Sequence, residues 1–311
     1  MNDIVFIVNP RAAKGAAAEI GHRLKKELMT RGVAHEIHLT EYQGHAVELA
    51  RRTPARVVVA VGGDGTVNEA ANGIVGTGKA LGIIPAGSGN DLIKSLNIPA
   101  DFRSALETVF RGQIRNIDIG QVRCTKNGAD GNDGLAGNGR YFVNGVGIGF
   151  DAAVAARSAE IPYLRGVLLY IAAVFQTIGK YQAPVFKVSY GHGEREFPGL
   201  LIAIGNGACA GGGFYLTPRA KPDDELLDVC MVNDVPLLKI LRLMPKVMKG
   251  GHEGDPDVEF VRSKKIRVDG SKPFFVHADG EIVGRNVTGV SVELATARLP
   301  VLVGDARIGS G

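Results

Sequence analysis

The chain has 311 residues, 45% of them hydrophobic and 22% charged, a composition that excludes disorder and mini-protein scaffolds and leaves room for two domains of ordinary size. Lys and Arg number 36 against 32 Asp and Glu, and the resulting +4 is too small and too dispersed for a nucleic-acid binder, so no nucleic-acid partner is expected. The three cysteines, Cys124, Cys209 and Cys230, form neither a zinc-type cluster nor a disulfide framework, which fits a reducing, cytoplasmic compartment.

Met1-Asn2-Asp3 runs directly into the apolar stretch Ile4 to Val8, without the basic start and long apolar core of a signal peptide. That stretch reads as a strand. Ala17, Ile20, Leu24 and Leu28 follow at helical spacing up to Gly32 and complete a βα unit. His35 to Thr40 is a second strand, His45 to Arg52 a helix, Arg56 to Val61 a buried strand and Val67 to Ile74 a helix. Leu81 to Pro85 and Asp91 to Leu96 repeat the order. The alternation predicts a parallel sheet with flanking helices, whose ligands bind at the loops after the strands' carboxyl ends.

After Asp118 strand-like runs dominate, at Tyr141 to Phe150, Val185 to Tyr190, Leu200 to Gly205, Leu226 to Val232, Lys265 to Val268, Phe274 to Ala278 and Val287 to Leu294. Two helical stretches interrupt them, Tyr163 to Ile178 and Leu237 to Lys249, and the pattern predicts a mainly β, sandwich-like second domain. The Gly/Asn/Asp-rich stretch Lys126 to Arg140 reads as an exposed hairpin loop. Tyr163 to Ile178 is too short to span a bilayer and reads as core packing. The alternative is a lipid-lining or membrane-resting helix, with Arg157, Arg165 and Lys180 meeting anionic headgroups.

The chemistry concentrates in three loops. Gly62-Gly63-Asp64-Gly65-Thr66 follows a strand and opens a helix, a place where glycines turn sharply and present backbone N–H groups to a phosphate. Thr66 and Glu69 have capping-box spacing, which leaves Asp64 on the loop, where it holds Mg²⁺ or takes a proton; a solvated Asp in a turn is the alternative. Ala86-Gly87-Ser88-Gly89-Asn90-Asp91 repeats the design, with Ser88 and Asp91 again at capping spacing. Asn9-Pro10-Arg11-Ala12-Ala13-Lys14-Gly15 adds a lysine at a helix start. No Walker A motif occurs, and Gly145 to Gly149 lacks dinucleotide-binding spacing. The histidines have no partner at ligand spacing and read as surface or core.

In this order, GGDGTVN at Gly62 to Asn68, PAGSGND at Pro85 to Asp91 and Asn9-Pro10 with Gly15 resemble the catalytic domain of the diacylglycerol kinase family, bacterial soluble lipid kinases that are also similar to sphingosine kinases. The resemblance runs from Asn9 to about Gly284. It implies a two-domain, lipid kinase and NAD kinase-like architecture. An α/β ATP-binding domain would span 1–121 and a β-rich lipid-substrate domain 122–311, the last residues being able to return to the first. It implies that ATP is held by Asn9, Pro10, Arg11, Ala12, Ala13, Thr40, Gly62, Gly63, Asp64, Gly65, Thr66, Val67, Asn68 and Ser88. Lys14, Asp64, Asp91 and Asp118 match positions that support phosphoryl transfer and Mg²⁺.

Asp279-Gly280-Glu281 matches the family's DGE, in which the glutamate is the base that activates the lipid hydroxyl and Asp279 supports it. Residues two apart on a strand share a face, so both carboxylates can enter one cleft; an Asp-Gly hairpin turn is the alternative. Lys221 to Val229 resembles the segment that holds a structural Mg²⁺ through one aspartate and two carbonyls, here Asp224 with Lys221 and Leu226. Glu225 stands where the family has glycine, and a plain acidic turn is the alternative. Phe142 to Phe150 resembles the family's glycine-rich strand and reads as close-packed β structure.

The expectation is an ATP- and Mg²⁺-dependent lipid kinase of phospholipid metabolism, cytoplasmic or peripheral on the inner membrane face, acting across the cleft between its domains on a diacylglycerol-like hydroxyl presented at a membrane. The rivals are a GGDG-type kinase of a soluble acceptor such as NAD and a nucleotide-binding regulator without catalysis. Exposed strand edges leave a homodimer open.

Overall fold

The computed structural model describes residues 3–126, 129–130, 139–158, 166–179 and 181–304. Contacts divide these into two compact units, 3–118 with 296–304 and 119–295. The division falls after Asp118 rather than after residue 121, and the segment from Thr296 returns to the first unit, the option the sequence reading left open.

In the first unit β1 (Ile4–Val8) enters a 3-10 turn at Ala12–Gly15 and α1 (Ala16–Thr30). There follow β2 (Glu36–Leu39), α2 (His45–Arg52), β3 (Val57–Gly62), α3 (Asp64–Ile74), β4 (Ala80–Pro85) and α4 (Asp91–Leu96). α5 (Phe102–Arg111), which the sequence reading did not anticipate, starts at Asp101, whose carboxylate accepts the Ser104 N–H at 3.0 Å; β5 (Gln113–Ile117) ends this first passage. β1, β3 and β4 are continuous apolar runs buried on both faces, as parallel strands covered by helices require. Leu24, Leu28, Leu106 and Val109 from the helices pack on Phe6, Val59, Val61 and Ile84.

The second unit opens with β6 (Gly120–Lys126), β7 (Ala129–Asp130), β8 (Arg140–Phe142) and β9 (Gly145–Gly149), so the expected single strand from Tyr141 to Phe150 is broken at Val143-Asn144. α6 (Phe150–Ser158) and α7 (Gly166–Ile178) follow, then β10 (Val185–Tyr190), β11 (Gly193–Gly205), β12 (Leu227–Asn233), α8 (Leu237–Val247) and β13 (Val258–Ser263). β14 (Lys265–Ala278) joins the two expected runs into one strand, bent where its register with β15 (Glu281–Leu294) shifts between Asp269 and Phe274. Among the described residues the sheet runs β13-β12-β11-β10-β14-β15-β6-β7, with β8 on β6, and β9 bridging β11 and β14. Because β11 and β14 are joined both through β10 and through β9, the sheet folds over a core that includes Phe142, Phe186, Ile202, Val276 and Val292. α6, α7 and α8 pack on a second apolar cluster containing Phe150, Val174, Leu201, Val232 and Ile240.

β16 (Leu299–Val303) then returns to the first unit, giving the order β2-β1-β3-β4-β16-β5, parallel except for β5. Most of Lys126 to Arg140, read as a hairpin loop, and Tyr163 to Arg165 with Lys180 lie outside the described residues. No described helix is long and apolar enough to cross a membrane.

Candidate active site

The chain leaves β1 toward β2 on one side of the sheet and continues from β3 to β4 on the other, so the loops after β1 and β3 part at a switch point. Asn9 ties them together. Its backbone N–H donates to the Val61 carbonyl and its Nδ2 donates to Thr66 Oγ1, each at 3.0 Å. Asn9 Oδ1 accepts the Arg11 N–H at 3.0 Å and folds Pro10 to Ala13 into a turn in which Ala13 has φ +49°. The buried Thr40 donates its N–H to the Val8 carbonyl at 2.9 Å, which sets it beside the same loop. The side chain of Lys14 lies outside the described residues.

α3 begins directly after Gly63, so the first-turn amides of Asp64, Gly65 and Thr66 have no intrahelical acceptor and form an anion-binding end. The expected Thr66/Glu69 capping box is not formed, because Glu69 turns to another helix: its two carboxylate oxygens accept the N–H groups of Gly44 and Ala46 at 2.9 and 3.1 Å and cap α2. Val67 and Asn68 are buried in α3 and hold its place on the sheet.

The second loop packs on the first backbone to backbone. A Cβ on Gly87 would stand 2.4 Å from the Gly63 Cα, so only glycine fits there. Asn90, at φ +49°, closes this loop by accepting the Gly87 N–H at 3.1 Å and donating Nδ2 to the Gly87 carbonyl at 3.0 Å. The Ser88/Asp91 cap expected from spacing is therefore replaced by an Asn90 turn, and Ser88 is exposed. Asp64 Oδ1 accepts the Asp91 N–H at 2.7 Å, and buried Asp91 pairs through Oδ1 with Lys94 Nζ at 2.7 Å. Asp118 is buried where the chain leaves the first unit, its Oδ1 2.9 Å from Arg298 Nη2 on the returning segment.

In the second unit Asp279 and Gly280 form a two-residue hairpin turn at φ +48° and +83°, with Ala278 opposite Glu281. The turn overrides the shared-face expectation, because Asp279 is not on the strand that carries Glu281. The Asp279 carboxylate is committed to the 143–145 loop: Oδ2 accepts the Val143 N–H at 2.9 Å, and Oδ1 accepts those of Asn144 and Gly145 at 3.0 and 2.8 Å. Asn144 Nδ2 donates to the Cys209 carbonyl and Asn206 Nδ2 to the Val143 carbonyl, both at 2.8 Å, so the loop is braced from both sides. Glu281 Oε2 lies 2.6 Å from Arg140 Nη2.

Sequence reasoning missed Arg140 and a buried pair in the second unit, His277 with Asp151. His277 is buried with Nε2 2.8 Å from Asp151 Oδ2, in keeping with the reading of the histidines as surface or core. Gly147 faces this pair across β9, where a Cβ would stand 2.2 Å from His277 Nε2 and 2.3 Å from Asp151 Oδ2. That glycine was the only local signal, and it does not name its partners.

The proposed metal turn has a different occupant. Asp224 Oδ2 is ion-paired with Arg262 Nη2, its Oδ1 accepts the Leu226 N–H at 3.2 Å, and Arg262 Nε also reaches Asp228 at 3.2 Å. Burial pushes the Asp228 carboxyl up, with Arg262 opposing. Glu225 adopts φ +60°, the left-handed geometry that suits glycine, and pairs with Lys264. With a guanidinium neutralising Asp224, the set Lys221, Asp224 and Leu226 does not fit a divalent cation. Among the described residues no group of three or more His, Cys, Asp or Glu is placed to hold a metal.

Comparison with known proteins agrees with this geometry. Residues 3–122 match the diacylglycerol kinase catalytic domain, and residues 144–303 match the YegS C-terminal NAD kinase beta sandwich-like domain. A diacylglycerol kinase of Mycobacterium tuberculosis is 30% identical over 290 residues, covering 89% of this chain and 88% of its own. One from Bacillus subtilis is 26% identical over 296 residues, covering 90% and 89%. The crystal structure of a diacylglycerol kinase from Bacillus anthracis shares the fold with a TM-score of 0.70 at 20% identity over 98% of each chain. An NAD kinase from Archaeoglobus fulgidus in complex with ATP gives 0.54 at 14% identity, over 98% of this chain and 95% of that one. The chain belongs to the diacylglycerol kinase catalytic-domain family, and a kinase role follows from that membership.

Proposed function

We propose that this kinase uses ATP and Mg²⁺ to phosphorylate the hydroxyl of a diacylglycerol-like lipid. The observation that carries the reading is the junction of three phosphate-type loops at the switch point of the first sheet, joined through Asn9–Thr66, Gly63–Gly87 and Asp64–Asp91. Asn9 to Ala13, Thr40, Gly62 to Asn68 and Ser88 hold the nucleotide, with the first-turn amides of α3 facing its phosphates. Asp64 suits Mg²⁺ as a hard oxygen donor on a carboxylate already oriented by the Asp91 N–H. Bound there, Mg²⁺ neutralises charge on the phosphates. Lys14 adds a positive charge on the turn after β1.

Glu281 takes the proton of the lipid hydroxyl, Arg140 holds its carboxylate in one orientation, and Asp279 fixes the hairpin that presents it. Asp91 orients Asp64, while Asp118 acts at a distance by anchoring the returning chain through Arg298. A lipid acceptor is supported by the apolar lining of a small cavity of about 60 Å³ in the second unit, formed by residues that include Phe150, Val174, Leu201, Phe214 and Met244.

The test is transfer of labelled γ-phosphate from ATP to a panel of dispersed lipid alcohols, with NAD and no-acceptor controls. Label in one organic-phase product, lost in Asp64→Ala, is the expected result. Label in NAD instead would make the chain a kinase of a soluble acceptor, and full transfer by Asp64→Ala would overturn the assigned site.

A further inference from the structure

We propose that the outer face of α8 docks this protein on an anionic lipid bilayer, an inference that rests on reading the second unit as the lipid-substrate unit. The helix is divided by face. Ile240, Leu243, Met244 and Val247 turn inward and line the apolar cavity. Leu238, Arg242 and Lys246 recur four residues apart on the opposite face, Lys249 follows in the turn after the helix, and all four are exposed. Leu237 and Met248 flank them at 37% and 38% exposure, and Leu238 reaches 60%.

The charge on that face has one sign. No Asp or Glu occurs between Leu237 and Lys249. Among the described residues Arg242 and Lys249 have no ion-pair partner, whereas Lys239 is taken by Asp255 and Asp257 and Lys246 lies 3.6 Å from Asp255. Of the acids nearest in sequence, Asp234 precedes the helix, Glu253 pairs with Arg219, and Asp255 and Asp257 are spent on the helix lysines.

Exposed aliphatic side chains interleaved with unpaired cations match the boundary of a bilayer, where apolar groups enter the acyl region and cations meet phosphates. An apolar protein partner would bury the same cations without compensation. Because the inner side of α8 walls the cavity, docking by the outer side brings that wall to the lipids.

The test is co-sedimentation of the full chain with vesicles of phosphatidylcholine and phosphatidylglycerol, and with phosphatidylcholine alone. The double variant Leu238→Gln/Arg242→Glu is compared with Arg103→Glu, which makes the same charge reversal on α5 in the first unit. Thermal melting checks that each variant folds. The expected result is salt-sensitive binding to the anionic vesicles that falls about tenfold or more in the α8 variant and persists in Arg103→Glu. Equal binding by wild type and the α8 variant, or no vesicle binding by wild type, overturns the proposal. So does a dimer that the α8 variant dissociates while vesicle binding is unchanged, since the face then belongs to a second copy. Sedimentation needs no turnover, so a failed phosphate-transfer assay leaves this test intact, and the reverse holds too.

Discussion

The carboxylate of Asp64 accepts the backbone N–H of Asp91 at 2.7 Å, so the residue that heads α3 also fixes the start of α4. Asp64 thus carries a structural duty beside the chemical one proposed for it, and substitution can separate the two. Asp64→Asn keeps an acceptor for Asp91, so it should hold its melting temperature and lose transfer. Asp64→Ala should lose transfer and also about 1 kcal/mol of stability in urea unfolding. Normal transfer by Asp64→Asn would remove the charge from the mechanism.

Glu281→Gln should fold normally, keep nucleotide binding and transfer phosphate about a hundredfold more slowly or less, as expected when a proton acceptor is removed. Arg140→Ala should lower turnover by a smaller factor with Glu281 still present, because the carboxylate loses its 2.6 Å partner. Steady-state rates for both variants check the order, and a larger loss at Arg140 than at Glu281 would reverse the roles.

Asp279→Ala should behave differently from Glu281→Gln. It strips acceptors from three backbone N–H groups in the 143–145 loop and should cost about 3 kcal/mol, read as a lower urea midpoint. Unchanged stability would mean that water replaces the carboxylate.

Arg262→Ala leaves Asp224 and Asp228 facing each other without their shared cation. Because Arg262 is partly exposed, the loss should be modest, about 1–2 kcal/mol. In this variant added Mg²⁺ should raise the melting temperature through the vacated carboxylates, whereas chelator should leave wild-type melting unchanged. A wild-type melting temperature that drops with chelator would restore a metal to the turn.

Burial pushes the His252 imidazole below its ordinary range, outweighing its contact with the Leu216 carbonyl. The unfolded chain then takes up a proton near pH ~6.5 that the folded chain refuses. The stabilisation is complete above that pH and is lost as pH falls below it. Urea midpoints between about pH 7.5 and about pH 5.5 should fall, and His252→Phe should flatten the decline; an equal slope in the variant would assign it elsewhere.

The three loops after β1, β3 and β4 could be read from the chain because each is a local strand–turn–helix device built from adjacent residues. Their internal wiring could not: Thr66 and Glu69 have the spacing of a cap, yet Glu69 caps α2, whose N-cap Gly44 lies 25 residues earlier. The hairpin reading of Asp279-Gly280 was available from the dipeptide itself, but its acceptors at Val143 to Gly145 were not. Arg140 is 141 residues from Glu281, and no spacing rule reaches that far. α5 escaped notice because its apolar residues are spaced among charged ones, and β16 because it is a five-residue apolar run holding a proline, whose role only sheet closure shows.

β16 stands between β4 and β5, and among the described strands β5 has no other partner. A chain emerging from the ribosome can assemble β1 to β4 early, but β5 must wait, unpaired, while residues 119–295 are made. The unit that starts first is therefore the one that finishes last. A fragment cut after Asp118 would carry two open strand edges where the whole protein has a closed seam, and self-association is the natural outcome of expressing it alone.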